Sequence, residues 1–265
     1  MVKKLFKHEF RSYWRILISV WCILLGIAAL GRLLFLFESD TVIYDIVSSS
    51  SIVFYVVSVI VALVFPLVLS VIRFYKNLFT GEGYLTFTLP VTTGQHIRVK
   101  VVTAVAVQLA TMLVVLLSAM VFTAGDVCVE VCKAIGYLFR YVSSYTNGHM
   151  VYFVLEFVLM LVATCFAEFL LYDTCIAVGQ LFRKNRVLAA VGVYFGLYMI
   201  TQVISTVGIA ISSFLDWEAI GEWIGNNGIL FVHCMLCGYI VVCIGMIAVY
   251  YTVTYQIIRK RLNLE

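Results

Sequence analysis

The sequence predicts an all-α membrane protein with six transmembrane helices, an N-terminal amphipathic interface helix and both termini in the cytoplasm. Hydrophobic residues make up 63% of the 265-residue chain and charged residues 12%, whereas about a quarter of a typical soluble domain is charged. The apolar residues form continuous runs long enough to cross a bilayer as helices. A transmembrane barrel would show shorter segments of alternating polarity. We therefore expect residues 1–265 to form a single transmembrane domain.

Six apolar runs define the expected membrane spans. They are Ile16–Phe37, Ser51–Ile72, Val101–Ala124, Val151–Tyr172, Val187–Ser213 and Ile229–Tyr255. The first run is too long for the apolar part of a secretory signal peptide, and no small-residue cleavage site follows it. The N-terminal segment is therefore expected to stay on the protein.

Lysines and arginines set the expected orientation. If the N-terminus lies inside, fifteen of the eighteen fall in inner segments, which leaves Arg32, Lys133 and Arg140 for the outer side. Positive residues favour the cytoplasmic face of a membrane, so both termini are predicted to be cytoplasmic. The outer connections, which include residues 125–150 and 214–228, carry eight of the fourteen acidic residues: Glu38, Asp40, Asp45, Asp126, Glu130, Asp216, Glu218 and Glu222. We expect the basic residues to contact lipid headgroups, and we expect no nucleic-acid partner because no basic soluble surface exists.

Residues 1–15 have the pattern of an amphipathic helix that lies in the inner headgroup region before the chain turns into the bilayer. Basic side chains recur at helical spacing on one side, and aromatic side chains lie on the other. The residues expected to define this interface helix are Lys3, Lys4, Lys7, Phe10, Arg11 and Trp14. Two roles stay open: a positive-inside anchor, or a lever that a cytoplasmic partner moves.

Residues 73–100, between the second and third spans, form a cytoplasmic loop with a distinctive pattern. Arg73–Phe79 is expected to continue the second span by about two helical turns, and the glycines of Thr80–Gly83 are expected to end it. Thr92 or Thr93 is positioned to cap the helix of the third span.

The middle of this loop carries apolar side chains that no other part of the chain is large enough to cover. Tyr84, Phe87 and Leu89 alternate with polar residues before Pro90. An exposed apolar patch with a polar rim is typical of a surface that binds another protein. The alternative is a loop that lies against lipid headgroups.

Three acidic residues fall in or at the end of the fourth apolar run: Glu156, Glu168 and Asp173. An acid inside the membrane is energetically expensive and is a candidate functional residue. A proton-coupled transporter would use such residues as relays. The alternative is structural pairing with polar residues of neighbouring helices, or with Arg32 in the case of Glu156.

Polar residues also recur at helical spacing in the fifth run, where they form a possible substrate path between two copies of the chain. They are Tyr194, Tyr198, Thr201, Gln202 and Ser205. Hydrogen bonding between neighbouring helices is the alternative role. Outside the spans, Phe214–Ile224 and Asp126–Gly148 both show apolar residues at helical spacing and are predicted to be surface helices.

The sequence contains no nucleotide-binding or catalytic motif. It lacks GxxxxGK[ST], HExxH and GxSxG, so we expect no enzyme activity and no catalytic, cofactor or metal site in this chain. Cys234 and Cys237 form a CxxC pair inside an apolar run, where small packing residues are expected. Cys128 and Cys132 are predicted to lie outside, either as free thiols or as a local bridge.

The stretch YKNLFTGEGYLTFTLPVTTGQHIRVK resembles the cytoplasmic loop after the second span in permease subunits of bacterial type-2 ABC exporters of the Gram-positive type. The shared pattern is an aromatic-basic-Asn-Leu-Phe segment, an acidic-Gly-Tyr-Leu segment and a Thr-Leu-Pro segment. The tail from Ile257 to Glu265, the six spans and the cytoplasmic termini are also similar to that family.

The resemblance implies a coupling helix that sits in a groove of a separate ATP-binding subunit. The transmission surface would consist of Tyr75, Lys76, Asn77, Leu78, Phe79, Glu82, Gly83, Tyr84, Leu85 and Pro90. It also implies a second permease copy or homologue, ATP and Mg on the partner subunit, and short re-entrant helices in the last outer loop.

The expected function is that of a permease subunit of an ABC exporter in a bacterial cytoplasmic membrane, driven by ATP hydrolysis on the separate subunit. Two alternatives stay open. One is a proton-coupled secondary transporter that uses Glu168 and Asp173. The other is a membrane anchor or sensor that recruits an ATPase for immunity to antibiotic peptides without moving substrate.

Overall fold

A computed structural model describes residues 2–37, 41–80, 83, 91–145, 150–182, 184–214 and 216–261. Within these residues the regular structure consists of helices. In chain order they are α1 (Val2–Leu36), α2 (Val42–Phe79), α3 (Thr93–Phe122), α4 (Asp126–Tyr145), α5 (Met150–Gly179), α6 (Arg186–Ser212), α7 (Trp217–Asn226) and α8 (Gly228–Arg261). All but α4 and α7 are long and apolar enough to cross a membrane, which gives six candidate spans.

The prediction of six apolar helices is confirmed, since each predicted run falls within one helix to about two residues. All of these helices except α6 are longer than their runs, and α1, α2 and α3 extend well past the runs at the ends predicted to be cytoplasmic. The two predicted surface helices also form, as α4 and α7. Asp216 caps α7, because its Oδ1 accepts hydrogen bonds from the N–H groups of Glu218 and Ala219.

The expected turn between the interface helix and the first span is absent, because α1 continues without interruption from Val2 to Leu36. One buried stripe runs through both halves at a spacing of three or four residues: Glu9, Tyr13, Leu17, Trp21, Leu24, Ala28 and Gly31. Such a stripe packs along a single partner surface, and a bend after residue 15 would interrupt it. The basic N-terminal segment is therefore the first third of one long helix.

The chain divides into two compact units. Unit 1 comprises Met1–Arg73 and Pro90–Tyr145, and unit 2 comprises Phe74–Leu89 and Thr146–Glu265. In unit 1, α1 packs against α3. Two apolar clusters lie along this contact, one around Tyr13, Leu17, Trp21 and Val107, the other around Leu24, Ala28, Tyr55 and Ala62.

Polar side chains join the helices of unit 1 inside these clusters. The Trp21 indole donates to Thr111 Oγ1 at 3.2 Å, and the hydroxyls of Tyr55 and Ser118 lie 3.0 Å apart. Each pair joins two helices at membrane depth, where a polar group without a partner is costly. The contacts therefore fix the rotation of α1 and α2 against α3.

Pro66 lies inside α2, where it removes one backbone N–H from the helical hydrogen-bond pattern. The side chain of Gln108 on α3 donates to the carbonyl of Leu63, three residues before this proline, at 3.4 Å. The carbonyl that the missing N–H would have bonded is that of Ala62, one residue earlier, so Gln108 adds a side-chain contact between α3 and α2 next to this position.

In unit 2, α5 packs against both α6 and α8. A buried contact joins α5 to α8, where Thr174 Oγ1 lies 2.9 Å from Thr254 Oγ1 and donates to the Tyr250 carbonyl at 3.2 Å. The contact with α6 is close at Gly179: a methyl group there would lie 2.8 Å from the Ala190 backbone nitrogen and 2.9 Å from its Cα.

We expect Gly179→Ala to lower the free energy of unfolding by about 2 kcal/mol, because the added methyl meets backbone atoms that cannot rotate away. Equilibrium unfolding in mixed micelles measures the change. Gly196→Ala is the matched control, since nothing lies within 4 Å of a Cβ at that position. Equal stability of the two variants would mean that α5 and α6 do not approach closely at Gly179.

Candidate functional site

The ends of the predicted coupling loop are well defined. As predicted, α2 runs through the Arg73–Phe79 extension and ends at Phe79. The N–H of Gly83 donates to the Thr80 carbonyl at 2.7 Å, which begins the turn. The third span starts at the predicted cap Thr92, whose N–H donates to the side-chain oxygen of Gln95 at 3.1 Å.

The predicted coupling residues divide into those that the structure describes and those that it does not. Glu82, Tyr84, Leu85 and Pro90 lie outside the described residues. The described ones share the end of α2 and the turn after it: Tyr75, Lys76, Asn77, Leu78, Phe79 and Gly83.

The end of α2 has one buried side and one accessible side. Lys76 is exposed, and Tyr75, Asn77 and Phe79 are half-buried. Leu78 is fully buried, so it holds the end of α2 in place rather than contacting a partner directly. The accessible part of this surface is therefore polar and aromatic.

A buried charged cluster holds the two residues that begin and end the 73–100 segment. The Lys100 ammonium lies 3.0 Å from Glu9 Oε1, and Arg73 Nη1 lies 3.9 Å from Glu9 Oε2. Glu9 and Lys100 are each only 8% exposed. One carboxylate from α1 thus binds a cation from α2 and a cation from α3. We call Glu9, Arg73 and Lys100 the Glu9 cluster.

The Arg73 guanidinium has further partners on α1, one turn from Glu9. Nη2 donates to the Ser12 carbonyl at 3.0 Å and to Ser12 Oγ at 2.6 Å, and the guanidinium carbon lies 4.3 Å from the centre of the Tyr13 ring. Arginine has five donors in a planar fork, so it can bind a carboxylate, a carbonyl and an aromatic face together. These contacts fix the side chain of Arg73 on α1.

The fixed charges of the Glu9 cluster have a mechanical consequence. Two opposite charges removed from water bind strongly only in a well-defined geometry with satisfied hydrogen bonds. The parts of α1, α2 and α3 that form the cluster are therefore held together at this point. A force applied to the 73–100 segment would reach all three helices through the Glu9 cluster.

Glu9, Ser12 and Tyr13 were not predicted as members of a site. Arg73 and Lys100 were expected to set the membrane orientation and to contact headgroups, not to share a buried carboxylate. The sequence does carry one indication of this cluster, which is the position of Glu9. Glu9 lies four residues before Tyr13 and eight before Leu17, on the stripe that α1 buries. An acid on the buried side of an amphipathic helix needs a buried cation.

The predicted interface residues lie mostly on the opposite side of α1. Exposed members are Lys3, Lys4, Lys7, Arg11 and Trp14. Phe10 is half-buried against the apolar cluster, and its ring lies 5.6 Å from the Trp14 ring. The amphipathic pattern is therefore present, with a basic exposed side that is free to meet headgroups or a partner.

In unit 2, Glu156 pairs with His233. Nδ1 of His233 lies 2.8 Å from both carboxylate oxygens, the Phe153 ring stacks on the imidazole at 4.0 Å, and Cys237 Sγ lies 3.7 Å from Glu156 Oε1. The pair joins α5 to α8. The partner of Glu156 is thus a histidine of a neighbouring helix, which was not named among the expected partners.

A depth argument could have paired these two residues. Glu156 lies six residues after the start of α5 and His233 five after the start of α8. At 1.5 Å per residue both are about 8 Å from the ends of their helices. The two helices cross the membrane in the same direction in a six-span chain, so the residues are at matching depths.

Glu168 and Asp173 do not come together on α5. Asp173 is 4% exposed, whereas Glu168 is exposed. Five residues along a helix correspond to a rotation of about 140°, so the two carboxylates leave different sides of α5. A relay that passed protons directly between them would need a connecting group.

The polar residues of α6 share one side of that helix. Tyr194 is half-buried with its ring 6.0 Å from the Tyr172 ring. The others are exposed: Tyr198, Thr201, Gln202 and Ser205. Thr201 Oγ1 donates to the carbonyl of Tyr198 within the helix. This side of α6 is thus accessible to a substrate or to a second chain.

The remaining candidate ligands do not form a metal site. In the described ranges, no group of three or more His, Cys, Asp or Glu side chains could hold a metal ion. All eight cysteines are free thiols, Cys128 and Cys132 included. The neighbouring Cys128 raises the pKa of the Cys132 thiol above its ordinary value, because a second negative charge beside the first is unfavourable.

Comparison of the chain with protein-family models, with curated proteins and with solved structures finds no match.

Proposed function

We propose that this chain is the membrane-spanning permease subunit of an ABC exporter in a bacterial cytoplasmic membrane. A separate subunit would bind and hydrolyse ATP with Mg, and the 73–100 segment would dock on it. A second permease copy or homologue would complete the substrate path. The chain itself would perform no catalysis.

The Glu9 cluster is the observation that carries this proposal. Arg73 begins the segment that would dock and Lys100 closes it, and both bind the same carboxylate on α1. A loop that served only as a connection would not need its two ends tied to a third helix. A loop that transmits force would need both ends attached to that helix, because force passes only through contacts that stay intact under load.

The transmitted movement would pass from the Glu9 cluster into the apolar clusters of unit 1. Tyr13, Leu17 and Trp21 continue the buried stripe of α1 directly above Glu9 and pack against α3. Close-packed interiors move as units rather than deforming residue by residue. A displacement of the 73–100 segment would therefore tilt α1 and α3 together, as alternating access requires.

The division of the chain gives α2 a second role in this proposal. Up to Arg73 the helix belongs to unit 1, and from Phe74 it belongs to unit 2. Phe74 and Leu78 are both buried. An ATPase that pushed on the end of α2 would thus act on a helix that is part of both units.

Proton-coupled transport through Glu168 and Asp173 has less support. Asp173 is buried, as a relay residue should be, but Glu168 leaves a different side of α5. A membrane anchor without transport would keep the loop contact but would not need the polar side of α6.

Purification from native membranes in a mild detergent tests the proposal. We expect a P-loop ATPase without spans of its own to accompany the chain at close to one-to-one stoichiometry, as identified by mass spectrometry. Recovery of the chain alone across several mild detergents would overturn the ABC proposal, and Glu168 and Asp173 would then become the residues to test.

A further inference from the structure

The helix α4 presents an apolar side that no described helix covers. Its members are Val131, Ile135, Leu138, Phe139 and Val142, which are between 38% and 63% exposed. At 100° per residue they occupy about one third of the helix circumference. The most extensive contacts between described helices are those of α1 with α3, α5 with α6, α5 with α8 and α7 with α8, and none of these involves α4.

The opposite side of α4 is polar and charged. Glu130, Lys133 and Arg140 are all exposed there. Lys133 and Arg140 are seven residues apart, which places two cations on one line along the helix. With these charges α4 cannot cross a bilayer, and it is not among the six candidate spans. The combination of a broad apolar side and a charged side is that of a helix lying in a membrane interface.

The connection to α3 keeps α4 close to the membrane surface. Three residues separate Phe122, at the end of the α3 span, from Asp126, so the two helix ends are at most about 14 Å apart. Gly125 makes the turn with φ +106°, and the Arg32 guanidinium of α1 lies close beside it. The turn is thus next to α1, a second candidate span.

We propose that α4 lies on the outer leaflet of the membrane, with its apolar side in the acyl-chain boundary and Lys133 and Arg140 at the headgroup phosphates. The helix is about 30 Å long, so its apolar stripe would follow the surface for that distance. The lipid that covers the exposed apolar residues of the spans is continuous with the lipid that would cover this stripe. This placement of α4 rests on the membrane placement and the predicted orientation of the chain and does not depend on the ABC proposal.

Spin-label accessibility tests the docking in liposomes of phosphatidylcholine and phosphatidylglycerol. The full chain is prepared with its eight cysteines replaced by serine, and single cysteines are introduced by Ile135→Cys on the apolar side and Glu130→Cys on the polar side. Val53→Cys on α2 gives the value for a lipid-facing residue, because Val53 is 62% exposed on a span.

We expect label 135 to collide with lipid-soluble oxygen at least three times more often than label 130, and with a water-soluble nickel chelate at least three times less often. The oxygen and nickel accessibilities of label 135 should approach those of label 53. High nickel accessibility at 135 would show that the apolar side faces water and would overturn the proposal. Protection of label 135 from both reagents would overturn it too, in favour of a protein partner such as a second copy.

The side of the membrane is tested separately. A membrane-impermeant maleimide added to intact cells should label Glu130→Cys. If this position were labelled only after permeabilisation, the assignment to the outer leaflet would be wrong, whatever the accessibility data show. Neither experiment includes an ATPase, so failure here leaves the function proposal to its own test.

Discussion

Glu9→Gln is expected to destabilise the protein by about 3 kcal/mol, because removal of one partner leaves buried cations without a counter-charge. The Lys100 ammonium is 3.0 Å from the carboxylate and only 8% exposed, so water cannot replace the lost charge. Equilibrium unfolding in mixed micelles reports the loss. Glu218→Gln is the matched control: the same substitution at an exposed position should change stability by less than about 0.5 kcal/mol.

A double-mutant cycle separates the ion pair from other effects of the substitution. Lys100→Met removes the charge that Glu9 neutralises and keeps a side chain of similar length. We expect the double variant to lose at least about 1 kcal/mol less than the sum of the two single variants. Additive losses would show that Glu9 and Lys100 do not interact, and the Glu9 cluster could not then transmit force.

Tyr84→Ala combined with Leu85→Ala is expected to abolish association with the ATPase while membrane insertion stays intact. Both residues fall in the part of the loop that the structure does not describe, and the resemblance of the loop assigns them the role of anchors. Truncation of two anchors at a small interface removes most of its binding energy. Co-purification from membranes measures the loss.

The chain supplies a matched control with the same two residue types in the same order. Tyr137 and Leu138 are adjacent and exposed on α4, and their double replacement by alanine should leave the ATPase bound. If the Tyr84 and Leu85 variant still co-purified stoichiometrically, the docking surface would lie elsewhere on the chain.

Helix number was predictable from composition because a membrane span needs a continuous apolar run and little else. Each of the six runs became a helix for this reason. The uninterrupted α1 was less predictable. The basic residues near its start indicated an interface segment, whereas the buried stripe from Glu9 through Tyr13 to Leu17 is what keeps the helix in one piece.

The Glu9–Lys100 and Glu156–His233 contacts were harder to predict because the two residues of each contact are far apart in sequence. Lys100 is 91 residues from Glu9, and His233 is 77 residues from Glu156. A single acid near a helix end is usually solvated, so its identity alone does not indicate a site. Glu9 is distinguished by its position on the buried side of α1, and Glu156 by its depth along α5. Each position indicates a polar partner only when the packing of the neighbouring spans is known.

The distance of 91 residues between Glu9 and Lys100 also imposes an order on biogenesis. At about 5–20 residues per second of synthesis, Glu9 leaves the ribosome roughly 5–20 s before its strongest partner exists. Until then Arg73 is the one cation of the Glu9 cluster that the growing chain contains. The contact that joins α1 to α3 at Glu9 can therefore form only after the start of α3 has been made. A nascent chain that stalled before Lys100 would hold the Glu9 carboxylate through Arg73 alone, with α1 not yet joined to α3 at this point.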